Sequence, residues 1–125
     1  MPARSSGLSR QRLPRAGALF VLTGGVQDAL AQRIAELAAR SRLPAMYGLR
    51  RYVEAGGLIS YSADLIALHR RGAVFVDKIV KGSKPADLPV EQPTRFELVI
   101  NLKAARSIGL TIPQQLLSRA AEVLQ

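Results

Sequence analysis

The stretch from Tyr61 to Leu110 constrains the fold more than any other part of this 125-residue chain. It reads YSADLIALHRRGAVFVDKIVKGSKPADLPVEQPTRFELVINLKAARSIGL. A long amphipathic helix opens at Ser62 or Asp64, runs to Lys81 and stops at Gly82, a residue free to adopt the left-handed conformation that ends helices. Leu65, Leu68, Gly72, Phe75, Val76 and Ile79 line one stripe. Val74 and Val80 widen it, which predicts a helix buried on more than one side. Pro85, Pro89 and Pro93 then exclude helix and central strand, because proline lacks the donor that both require. Arg95–Ile100 reads as a strand with Phe96, Leu98 and Ile100 on one face. Asn101 caps a short helix that Gly109 ends. This is not the order of parts of a complete small domain, and it predicts that the chain is the later part of a larger fold.

The preceding residues alternate in the same way. Ala18–Thr23 is a continuous apolar run of strand length, bounded by Gly24-Gly25, and suits a central parallel strand. Asp28 is placed to cap a helix to Arg42, with Leu30, Ile34, Leu37 and Ala38 on one face. Ala45–Gly48 reads as a second strand, Arg50–Ala55 as a helical turn and Leu58–Tyr61 as a third strand. At the far end, Thr111 is expected to cap a last helix whose apolar side is Leu116, Leu117, Ala120 and Val123. Strands and helices in alternation mean an α/β fold: a mostly parallel sheet flanked by helices. Residues 1–16 lack periodicity and read as a basic flexible tail, leaving 17–125 as a single α/β domain.

Charge matters here because the net value is +9. Arg4, Arg10, Arg12 and Arg15 supply four of those charges with no acid among them. The rest are scattered over several predicted helices, without the clustering and aromatic interleaving that phosphate backbones require. The reading is solvated basic faces, with no nucleic acid as partner. An apolar content of 48% is that of a globular chain. With no cysteine, disulfides and thiolate metal sites are excluded. Residues 1–31 imitate a signal peptide, but Thr23-Gly24-Gly25 interrupts the apolar run after Leu22, so a strand is preferred.

No assembled active site is legible, and neither cofactor nor metal is expected. TGGVQD lies between a strand and a helix but matches neither phosphate-binding glycine pattern. His69 has no partner with which to move a proton. Ser60-Tyr61-Ser62 differs, because it falls where a strand gives way to a helix, and open α/β sheets bind ligands beyond the carboxyl ends of their strands. Ser60 and Tyr61, with Tyr47 at the end of the preceding strand, are therefore the candidate ligand-binding residues. The same spacing equally suits side chains packed at the edge of the sheet.

At these residues the chain resembles a known family. The blocks EAGGLISY, VDKIVKG, KPADLPVEQPTRFELVINLKAA and GLTIP, with ALFVL and RLP upstream, closely resemble the C-terminal part of ABC-importer substrate-binding proteins of the tryptophan/tyrosine-type putative transport systems. The resemblance covers roughly Ala18–Gln125. It implies the C-terminal part of a type I periplasmic-binding-protein fold, in which two lobes close around a small solute and present a shape to a membrane permease. It also implies a periplasmic location and no chemistry on the ligand, which is an aromatic amino acid in some members. Ser60 and Tyr61 match the family's cleft loop and Tyr47 its cleft edge, while Ser62 stands where a glycine usually follows Ser-Tyr. The resemblance places the long helix and Arg95–Ile100 near the hinge. Two readings follow: a partial or truncated solute-binding component, or a self-associating remnant that binds no solute. In the second, Phe75, Ile79 and Phe96 lie near the contact of a homo-oligomer.

Overall fold

A computed structural model describes residues 16–125, so the predicted basic tail lies outside the described residues except for Ala16. The strands are β1 (Leu19–Val21), β2 (Ala45–Tyr47), β3 (Ile59–Ala63), β4 (Phe96–Asn101) and β5 (Glu122–Leu124). The helices are α1 (Gly25–Ala29), α2 (Ala31–Arg40), α3 (Arg50–Glu54), α4 (Leu65–Val80), α5 (Leu102–Ser107) and α6 (Gln114–Leu117), with a 3-10 turn at Pro85–Asp87. The strands lie side by side in chain order. Every neighbouring pair is parallel except β3 and β4. This is the mostly parallel α/β sheet that the alternation predicted.

Local hydrogen bonds set the helix ends. Asp64 accepts from the Ala67 amide at 2.9 Å and Asn101 from the Ala104 amide at 3.0 Å, so both predicted caps form. At the far end of α4, Gly82 has φ +108°, and the Ser83 amide turns back to the Lys78 carbonyl. The same six-to-one closure ends α2, α3 and α5, through Leu43 to Ala38, Gly57 to Tyr52 and Leu110 to Ala105. Glycine supplies the left-handed residue in three of the four; in α2 it is Arg42, at φ 49°.

Three expectations are corrected. The helix expected from Asp28 is two helices, separated at Leu30 (φ −104°, ψ 16°), and Asp28 lies inside the first. Its carboxylate is engaged elsewhere, accepting from the Tyr52 hydroxyl at 2.8 Å. The last helix ends at Leu117, and residues 122–124 form a strand, because β4 offers an open edge; Ala121 donates to Leu98 at 2.8 Å where the pairing begins. The long helix, expected to bury more than one side, buries no residue. Among the described residues it meets the rest of the fold mainly at its first turn, where Leu65 and Ile66 lie close to the ends of the strands.

Most of the core lies on one face of the sheet. Val21, Ala45 and Tyr47 meet Ala31 and Ala38 of α2 and Tyr52 of α3, with Leu19, Ile34 and Leu49 against them. The Tyr47 and Tyr52 rings stack at 4.9 Å and 14°. Leu19, Val21, Ala45, Tyr47, Ser60 and Val99 all point this way, as alternation along paired strands requires. The other face carries Phe20, Met46, Ile59, Tyr61, Phe96, Leu98 and Ile100, and of these Ile100 is fully buried.

Candidate functional site

Two of the three sequence-predicted ligand residues lie in the core. Tyr47 is 1% exposed and Ser60 0%, and they are direct partners between β2 and β3. The Ser60 hydroxyl has no hydrogen-bond partner among the described residues. Tyr61, one residue on, points to the opposite face, where it is 50% exposed and stacks on Phe96 at 5.6 Å and 16°. The structure therefore brings Tyr47 and Ser60 together and sets Tyr61 apart. The cause is a strand boundary. β3 continues to Ala63 rather than ending at Tyr61, so Ser60 and Tyr61 are strand residues and successive side chains take opposite faces.

A hollow of about 570 Å³ opens where β2 and β3 do end. Leu49, Arg50 and Arg51 enter it from the turn after β2, and Glu54 from one helical turn further on. Ser62, Asp64, Leu65 and Ile66 enter from the end of β3 and the start of α4, and Glu97 from β4. Ser62 and Glu97 are register partners, which puts them side by side on this face. Ser62 is thus the member of the Ser60-Tyr61-Ser62 run that reaches a cleft. The hollow lies beyond the carboxyl ends of β2 and β3, two residues past Ser60. The adjacent Arg50-Arg51 pair was visible in the sequence, but nothing local tied it to Asp64 or Glu97.

The charges in the hollow are of both signs. Arg50 is held by Glu54 at 2.7 Å and by Glu122 of β5, and these carboxylates raise the guanidinium pKa still further. Arg51 takes part in none of the ion pairs among the described residues. Asp64 uses one oxygen on its own helix cap. Leu49, Leu65 and Ile66 supply the apolar part of the lining. A hollow with an available guanidinium, carboxylates and aliphatic walls suits a small solute with both charges and an apolar body. A second hollow, of about 460 Å³, lies across α4, between Ala67, Leu68 and Arg71 and the 91–95 segment, where Arg71 forks onto Glu91.

Behind the hollow, the turn carrying Arg50 and Arg51 rests on Tyr52, a buried ring whose hydroxyl donates to Asp28. Burial first, and then the bond to Asp28 and its charge, push the Tyr52 pKa up to about 12. Burial raises the Tyr47 pKa as well. A tyrosine ionises near 10 in the unfolded chain, so its folded-state pKa is the higher one. Stability is then held below about pH 10 and falls as pH rises from about 10 through 12. Urea melts across that window should show the fall, and Tyr52→Phe should shrink it. An equal fall in the variant would remove Tyr52 as the cause.

The sequence profile of ABC transporter substrate binding proteins matches residues 18–124. The chain belongs to this family. Among solved structures, a conserved domain protein from Vibrio cholerae O1 biovar eltor superposes with a TM-score of 0.80 at 27% identity, over 86% of this chain and 36% of that one. An ABC domain from Streptococcus pneumonia, in complex with L-Trp, gives 0.78 at 29% identity, over 88% and 38%. A ligand-free, open substrate-binding protein with adhesive properties from Clostridium difficile, at 18% identity, shares the fold with a TM-score of 0.64. No curated protein matches the chain. The chain spans a little over a third of the length of these two solved structures. The resemblance and the type I binding-protein fold read from the sequence agree with these likenesses.

Proposed function

We propose that this chain supplies part of the solute-binding cleft of an ABC importer and holds a small zwitterionic solute, an aromatic amino acid, without chemistry. The observation that carries the reading is the hollow at the carboxyl ends of β2 and β3, whose lining includes Arg51, Asp64 and Glu97 together with Leu49, Leu65 and Ile66. The pneumococcal neighbour's complex with L-Trp supports the aromatic class. Arg51 is the group to meet a carboxylate, and Asp64 and Glu97 are the groups to meet an ammonium. Of the three residues expected from the sequence, Ser60 and Tyr47 support the floor of the cleft from within the core, and Tyr61 serves a different surface. Cleft closure presents the loaded protein to a permease outside the cytoplasmic membrane. Among the described residues no helix is long and apolar enough to cross a membrane.

One wall leaves much of a solute in water, so binding by this chain is weak, in the millimolar range. Amide chemical-shift titration with L-Trp should move Arg51, Ser62 and Leu65 saturably, and Arg51→Ala should abolish the effect. Tryptamine, which lacks the carboxylate, should bind several-fold more weakly. Shifts that never saturate, or that survive in Arg51→Ala, would rule this site out. A second reading, self-association without a solute, is favoured by the exposed apolar length of α4, where Val76 is 61% and Val80 80% exposed.

A further inference from the structure

Among the described residues two apolar surfaces are uncovered, and they are of complementary kinds. One is α4. Leu65, Leu68, Gly72, Val76, Ile79 and Val80 fall within roughly half of its circumference. All six are exposed, and a side chain at Gly72 would meet nothing. His69 lies within the same arc, while Arg70, Arg71 and Lys78, with Lys81 just past the helix end, fall on the opposite half. The other surface is the sheet face turned away from α2 and α3. Register aligns Phe20, Met46 and Ile59 across β1, β2 and β3, with Tyr61 and Phe96 beyond them. Phe20 is 59%, Tyr61 50% and Phe96 52% exposed. Parallel strands are stable with both faces covered, and a helix with so broad an apolar stripe requires a surface to bury it.

We propose that the chain forms a two-fold dimer in which α4 of each copy lies across the bare sheet face of the other. A second copy is the occupant because one exchange satisfies both surfaces at once: among the described residues α4 has no sheet against it, and the part of this face from Phe20 to Phe96 has no helix. The charges fit the same arrangement. The strand residues of the sheet patch carry no charged side chain, and the three Lys and Arg of α4, with Lys81 at its C-cap, lie on the half that stays in water, so no lysine or arginine is buried unpaired. The Asp64 amide donates to the Arg95 carbonyl at 2.9 Å, so both ends of the α4 arm leave the sheet at one point. Exchange of such an arm is a low-cost route to a closed dimer. A helix of this length is about 24 Å long, and two reciprocal contacts bury on the order of 1,000 Å², the lower range of stable interfaces.

Light scattering of the full chain over a range of concentrations tests this. The expected result is twice the monomer mass, with dissociation constants raised on the order of 100-fold by either Val76→Glu on the helix or Phe20→Glu on the sheet. Both positions are exposed in the single copy, so circular dichroism should stay unchanged. Mixing the two variants should restore a dimer in part, since one intact helix then meets one intact sheet face. A wild-type monomer, an open-ended assembly, or a dimer untouched by Phe20→Glu overturns the proposal; the last indicates helix-on-helix or strand-edge pairing. A wild-type monomer that instead captures a separate polypeptide carrying the rest of the relatives' fold overturns it too. Leu65 borders both surfaces, so the solute titration is judged at Arg51 and Ser62, which lie outside the α4 stripe, and either result can fail without the other.

Discussion

Tyr47→Ala is expected to remove about 3–5 kcal/mol of stability, enough to unfold a large fraction of a domain of this size. The ring is 1% exposed, stacks on Tyr52 and belongs to the cluster that joins α2 and α3 to the sheet. Truncation opens a cavity that neighbours fixed by strand pairing cannot collapse to fill. Denaturant melts measure the loss. Tyr47→Phe keeps the ring and should cost a small fraction of it. A loss below about 1 kcal/mol for Tyr47→Ala would show that the ring is not a core element. The result also bears on the cleft, because a residue first suggested as a ligand contact then acts through the position of Leu49 and Arg50 in the turn that follows it.

Gly57→Ala is expected to cost about 3 kcal/mol, the upper range for an overpacked core. A methyl group there would sit 2.6 Å from Tyr47 Cε2 and 2.7 Å from the Tyr52 carbonyl oxygen. That carbonyl accepts from the Gly57 amide itself at 2.8 Å in the closure that ends α3, so it cannot withdraw without opening the helix end. Gly56, by contrast, has open space around it and is needed for its φ of +105°. Adjacent glycines thus do different work, one conformational and one steric. In a double-mutant cycle Tyr47→Ala should relieve part of the Gly57→Ala penalty, because the ring contact disappears while the carbonyl contact remains. Strict additivity would place the strain wholly at the Tyr52 carbonyl.

The family resemblance was legible because its blocks combine local chemistry with rare order. VDKIVKG holds a helix end, KPADLPVEQP an extended crossover, and FELVINLKAA a strand running into a capped helix. The sites were less legible. Ser60, Tyr61 and Ser62 are consecutive, yet one is buried, one faces an aromatic neighbour on the far face, and one lines the hollow. Which is which depends on where β3 stops, and β4 decides that by pairing as far as Ala63 with Phe96. Arg51 and Glu97 meet at one hollow although 46 positions separate them in the sequence, and no periodicity connects such residues.

The sequence by itself determined the alternation of strands and helices, the caps at Asp64 and Asn101, and the stops at Gly82 and Gly109. The alternation follows the local apolar pattern, and the caps and stops are settled by hydrogen bonds between residues at most five apart, so the residue types carry the answer. Only the tertiary structure decided that β4 runs against β3, that residues 122–124 form a strand rather than a helix, and that α4 stands uncovered. Those outcomes rest on pairing between distant segments, and an amphipathic stripe records that a surface must be buried without recording what buries it.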